Sequence, residues 1–166
     1  MNALANPEVG KYLNEYFVSS FQKVASFRIV NGKKQGGNVA SYFCTSDNRV
    51  LHAVAGPVDA ATLLREARWV VETYKMALLE RPDGSRLSSF FRKAHNDRLH
   101  AEHNIDRLAR RNRMNRDWYR QLDRPGQVHL LLASTALPRL DQVYKIVFEK
   151  ILNERISTAP VVQKGT

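Results

Sequence analysis

Three histidines crowd one stretch of this chain. His95, His100 and His103 fall in a helix-compatible segment, with Asp97, Glu102 and Asp106 among them. Residues three or four apart share a helix face, so His100 and His103 lie together and Asp106 lies one turn further on. Two imidazoles and a carboxylate are a donor set for a transition metal. The order His100-Ala101-Glu102-His103 matches neither His-Glu-x-x-His nor His-x-x-Glu-His, the signatures of zinc proteases. A solvated polar helix accounts for the same residues, so His100, His103 and Asp106 stand as weak metal candidates and no cofactor is expected. His52, in a strand, and His129, opening a helix, have no nucleophile beside them in sequence, and no Ser/His/Asp or Cys/His triad can be argued. No catalytic residue is identified, and the chain is expected not to be an enzyme.

Arginine is the second chemical signal. Between residues 107 and 124 there are seven arginines and two acids, with Trp118 and Tyr119 interleaved. Arginine grips phosphate through a planar fork and aromatic rings stack on bases. Arg107, Arg110, Arg111, Arg113, Arg116, Trp118, Tyr119 and Arg120 are therefore the candidate anion or nucleic-acid contacts. Their spread around a helix argues for a solvated face instead of a single binding stripe. The one cysteine, Cys44, rules out an internal disulfide and a multi-cysteine zinc site. It is a small hydrophobe in a strand or, in the sharper reading, a reactive thiol. Gly32 and Gly37 have the separation of a phosphate-cradling loop, but Asn38 stands where lysine is required and a strand follows, so a connecting loop is expected.

The elements that must carry these residues follow from pattern. Asn6 caps a helix that starts at Pro7 and runs to Tyr16, with Val9, Tyr12, Leu13 and Tyr16 on its apolar side. Residues 17–30 read as a strand with a break near Ser19-Ser20 or Gln22. Residues 39–45 are rich in β-formers, with Ala40, Tyr42 and Cys44 on one face and Val39, Ser41 and Phe43 on the other. Ser46-Asp47-Asn48 is a tight turn, and residues 49–55 return antiparallel. Asp59 caps a helix over 59–79 whose apolar face is Leu63, Ala67, Val70, Tyr74 and Leu78. Arg81 to Ser85 breaks it. Residues 87–122 are helix-compatible with a break near Asn104 or Arg111-Asn112. Arg124-Pro125-Gly126 ends that stretch, a short apolar helix covers 127–134, and a last helix begins at Leu137-Pro138. The expected division is residues 1–80, a helical extension over 86–156, and a flexible tail over 157–166.

The stretch from Gly36 to Tyr74 resembles the C-terminal half of a thioredoxin-like domain. Gly37-Asn38-Val39-Ala40 stands where the family has Gly-Thr-Pro-Thr, and Phe43, Asp47-Asn48, Val50 and Gly56 follow in register. Asn6-Pro7-Glu8-Val9 and the segment Tyr12 to Val18 resemble the end of the family's first helix and the following strand. The resemblance covers residues 6–78 and implies an α/β (α+β) fold with packed helices. The family's redox pair and its cis-proline are missing: there is one cysteine, and Val39 replaces the proline. The family's central strand would precede Asn6. A vacant slot would leave rows of buried backbone groups unpaired, at roughly 1–3 kcal/mol each, against a total stability of about 5–15 kcal/mol. The expectation is closure, giving a three-stranded antiparallel sheet of 18–30, 39–45 and 49–55 with the 59–79 helix across one face.

The net charge of +10 favours acidic partners, and no apolar run reaches the roughly 20 residues of a membrane span. A single cysteine fits a reducing compartment, cytoplasmic if the chain is complete. Three functions follow. The first is a redox-inactive thioredoxin-like interaction module with a basic helical extension and a protein partner, a homo-dimer included. The second is the truncated back half of a thiol-disulfide oxidoreductase. The third is nucleic-acid binding through the arginine-rich helix.

Overall fold

The computed structural model describes residues 3–24, 27–36, 38–111 and 117–156. The fold is mixed α/β and mainly helical, with small two-stranded antiparallel sheets. Helix α1, Pro7–Tyr16, begins as its sequence dictates: the Asn6 side chain accepts from the N–H groups of Glu8 and Val9, and Pro7 fills a position that needs no donor. Strands β1, Phe27–Val30, and β2, Lys33–Gly36, form a hairpin. Its two-residue turn is Asn31-Gly32, both at positive φ (51° and 72°), the backbone that Asn and Gly adopt most cheaply. Strands β3, Ala40–Cys44, and β4, Val50–Ala55, form a second hairpin with a bulge at Phe43/Cys44. Asn48 at φ 61° makes the tight turn between them.

The expected three-stranded sheet does not form among the described residues. Residues 18–24 belong to no strand, and β1 pairs with β2 instead of with β3. Asn31-Gly32 is a stronger local turn than the glycine-rich loop reading allowed, and closing it fixes β1 onto its sequence neighbour. The phosphate-loop candidate Gly32 is thereby the corner of a hairpin.

Asp59 caps α2, Ala60–Glu80, by accepting from Thr62 N–H at 2.7 Å. Its face of Leu63, Ala67 and Val70 is buried, and Tyr74 packs beside them. Helix α3, Leu87–Glu102, follows, and Asn104 at φ 51° makes the expected break before α4, Ile105–Arg111. Arg124-Pro125-Gly126 opens a helix, contrary to expectation. Asp123 accepts from Gly126 N–H, so Pro125 sits in the first turn of α5, Arg124–Ser134, where proline costs nothing. Helix α6, Leu140–Ile146, continues into one wide π turn over Val147–Ile151. The expected tail at 157–166 lies outside the described residues.

The β3–β4 hairpin is sandwiched. Phe43, Leu51 and Val54 join Val9 of α1, the α2 face, Phe91 of α3 and Leu137 in one hydrophobic cluster. Val50 and Ala53 join Val128 and Leu132 of α5 and Val143, Val147, Phe148, Ile151 and Leu152 in the other. Ala40, Tyr42 and Cys44 pack against that second cluster, as the period of two requires. Each large aliphatic or aromatic side chain buried here contributes about 1.5–3 kcal/mol. Both clusters draw on residues before and after the turn at 81–85, so the helices beyond residue 86 pack into the same core as the hairpin.

A buried histidine cluster as candidate functional site

The core contains a cluster of imidazoles where the two hydrophobic clusters meet. His52 lies mid-strand in β4 within Val50-Leu51-His52-Ala53-Val54, every residue of which is buried. His95 occupies the buried face of α3, one turn from Phe91 and one from Leu99. His129 sits on the buried side of α5 with Val128 and Leu132. The three side chains are 1–2% exposed, and each offers a ligand atom within 4.8 Å of the other two.

The rings are ordered by packing. His52 and His129 stack with centroids 5.1 Å apart and an interplanar angle of 23°. Trp69 of α2 meets His52, His95 and His129 edge-on at 5.1, 5.0 and 5.7 Å. Hydrogen bonding then fixes where the ring protons lie. His95 Nε2 is 2.8 Å from the carbonyl oxygen of Leu51. A carbonyl only accepts, so Nε2–H donates and His95 Nδ1 carries the lone pair. That lone pair accepts from His129 Nδ1–H at 2.7 Å. His52 Nε2 faces Glu66 Oε2 at 3.3 Å, which leaves His52 Nδ1 as a bare nitrogen, buried and without a partner. Burial holds all three imidazoles below their ordinary pKa, His95 at about 3. They are therefore neutral at physiological pH, the form that binds metal.

An ion pair adjoins the cluster. Arg98 donates to both carboxylate oxygens of Glu66 at 2.6 and 3.3 Å and to Glu102 at 2.9 and 3.0 Å. Its guanidinium lies 4.9 Å over the Trp69 ring. Burial pushes the Glu66 carboxyl up, but the hydrogen bonds from His52 and Arg98 outweigh it and hold the group well below the usual carboxylate range. Glu66 is thus a fixed anion that receives the outer N–H of His52. Ligating histidines are oriented in this way, with the non-ligating N–H held by a carboxylate or a backbone carbonyl. Glu66 serves His52 and the Leu51 carbonyl serves His95.

The candidates from the sequence are arranged differently. His100 pairs with Asp106 at 2.8 Å on the exposed surface. His103 turns inward and meets Asp123 at 2.9 Å, so the three weak metal candidates do not converge. Arg107, Arg110 and Arg120 are exposed, and Arg120 lies 5.9 Å over the ring of half-buried Tyr119, with Trp118 also half-buried. Arg113 and Arg116 lie outside the described residues, as does the side chain of Arg111. Cys44 is half-buried, and burial pushes its thiol up to about 11, against the thiolate that a reactive cysteine requires. Sequence reasoning missed the pairing of His52, His95 and His129 because they come from β4, α3 and α5. A shared signal was present: His52 and His129 interrupt apolar runs, and His95 takes an apolar-face position. A buried polar ring requires partners. No helix among the described residues is long and apolar enough to cross a membrane. Comparisons of the chain with protein-family models, with curated proteins and with solved structures found no match.

Proposed function

We propose that the chain is a metal-binding module in which His52, His95 and His129 hold one divalent transition-metal ion inside the core. The observation that carries the reading is the convergence of three neutral, buried imidazoles within 4.8 Å, one of them with an unpartnered inward nitrogen. The donor chemistry fits: imidazole suits zinc, copper, iron and nickel, and poorly suits calcium or magnesium. Metal–nitrogen bonds of about 2.0–2.1 Å put tetrahedral ligand atoms roughly 3.3 Å apart, so loading draws in the longer sides of the triangle, opens the 2.7 Å His95–His129 contact and replaces that hydrogen bond. His129 then binds through Nδ1 after its proton passes to Nε2, so the ring stays neutral. Because the rings face the interior, the ion acts on the fold more than on a solvent-borne substrate. An ion at about 100 times its Kd would add about 2.7 kcal/mol of stability.

Titration of the chelator-stripped chain with zinc against a chromophoric chelator tests this. One equivalent should bind per chain, and His52→Ala, His95→Ala and His129→Ala should each abolish tight binding. His100→Ala, on the surface, should leave it intact. Failure of the wild-type chain to bind zinc, cobalt, nickel or copper above background would refute the proposal.

A second reading is an interaction module that resembles a thioredoxin-like domain without its redox chemistry. It is supported by the hairpin–helix order of β3, β4 and α2, and by a β3 whose outer edge has no strand partner among the described residues. In this reading the chain adds nothing to the rate of insulin reduction by dithiothreitol; clear turnover would sink it.

A further inference from the structure

We infer that His103 is the fourth ligand of this centre, which closes it as a tetra-imidazole zinc site without an open position; the inference rests on the metal reading of His52, His95 and His129. Two of the three buried side-chain polar atoms without a hydrogen-bond partner, among the described residues, are imidazole nitrogens: His52 Nδ1 and His103 Nε2. The His103 side chain is 8% exposed although it belongs to the residue that ends α3. Its ring centroid lies 5.5 Å from that of His129, at an interplanar angle of 34°. Its Nδ1 is 2.9 Å from Asp123 Oδ1. The carboxylate accepts, so Nδ1 carries the proton, and in the neutral imidazole, the form that binds metal, Nε2 is a lone pair.

His103 therefore repeats the pattern of His52. One nitrogen is tethered to an acceptor outside the cluster, and the other is left bare in the interior. Each bare buried nitrogen costs roughly 1–3 kcal/mol, and a single cation placed among them would satisfy both at once. The molecule also makes room for this ring. Gly126, one turn before His129 on α5, presents no side chain to it; a Cβ there would lie 3.2 Å from His103 Cγ and Nδ1. His103 lies outside the set that already meets within 4.8 Å, so its ring must swing inward on loading. It stands at the end of α3, where the left-handed turn at Asn104 breaks the helix before α4.

The four nitrogen donors come from β4, α3, the end of α3 and α5. Zinc has no geometric preference of its own and accepts a tetrahedral N4 set, whereas copper(II) prefers a tetragonal one. Asp123 becomes the outer partner of His103, as Glu66 is of His52.

X-ray absorption at the zinc edge of the loaded full-length chain decides the question without any variant. The expected first shell is four nitrogens with the scattering of four imidazoles. His103→Ala should remove one imidazole from that count and weaken zinc binding by about tenfold or more, and Asp123→Asn should keep four imidazoles while costing about 10–100-fold in affinity. Three imidazoles and an oxygen donor in the wild-type chain would overturn the fourth ligand and leave the three-histidine site standing. Unchanged affinity and shell in His103→Ala would do the same. A wild-type chain that takes up no zinc would overturn both.

Discussion

The Glu66–Arg98 pair gives the sharpest mechanical test of the core around the histidines. The two side chains are 9% and 13% exposed, and the shorter contact between them is 2.6 Å. Replacing Glu66 with leucine leaves the Arg98 guanidinium in the interior with Glu102, which is half-exposed, and the Trp69 ring. Stranding one member of a buried pair costs about 3–5 kcal/mol. Because Glu102 retains two contacts with Arg98, the cost belongs at the lower end, about 3 kcal/mol. Arg65 adds little to the balance, because its contact to Glu66 comes from a largely exposed side chain. Arg98→Met strands the opposite charge, with only His52 and Arg65 left to face it, and should cost a similar amount. The double variant Glu66→Leu/Arg98→Met removes both charges from the interior and should lose less than the sum of the singles, with a coupling of about 2 kcal/mol or more. Urea unfolding of the metal-free protein, followed by tryptophan fluorescence (Trp69 and Trp118) and circular dichroism, reads this directly. With a slope of about 2 kcal/mol per molar urea, each single variant should lower the midpoint by about 1.5 M. Single variants that lose less than about 1 kcal/mol, or a strictly additive double variant, would refute the claim that this pair is a closed interior unit.

Two further outcomes follow from single residues. Cys44 should alkylate slowly: a thiol pushed up to about 11 holds roughly 300-fold less thiolate at pH 7.4 than an ordinary cysteine of pKa about 8.5. Its rate with iodoacetamide should rise about tenfold per pH unit through pH 10, and a plateau near pH 8.5 would show an ordinary thiol. Gly126→Ala should fail to stabilise α5: helix propensity alone favours alanine by about 1 kcal/mol, but the added methyl meets Asp123 Oδ1 at 2.8 Å and the His103 ring at 3.2 Å. A rise in unfolding free energy by that full amount would show that the Asp123 carboxylate and the His103 ring yield without cost.

Sequence and structure divide cleanly along the range of the interactions involved. Local chemistry was legible. Asn6 and Asp59 cap the helices expected of them, because an N-cap needs only a side-chain oxygen two or three residues from its donors. The turn at 46–48 and the antiparallel return of β4 follow from turn chemistry and a short connection. The buried faces of α2 and of the last helix follow from the 3.6-residue period. Of the two breaks expected, near Asn104 or Arg111-Asn112, the one at Asn104 forms, with that residue at φ 51°. Strand partnership was not legible, since β-forming residues at 27–30 suit β2 or β3 equally and the Asn31-Gly32 corner settled the choice.

The histidine site was hidden for a related reason. His95 and His129 are 34 residues apart, and the carbonyl that orients His95 lies 44 residues before it. Nothing near any of these residues specifies the others. Residues 95, 100 and 103 looked like a set because they share a helix-compatible stretch, but position on the helix sent His95 into the core and His100 to the surface. By itself the sequence determined that His52 and His129 sit in apolar runs and so require buried partners. Which partners they found was decided by packing: the β3–β4 hairpin between α2 and α3 on one side and α5 on the other brings three elements to one point, and burial there strips the imidazoles of their charge.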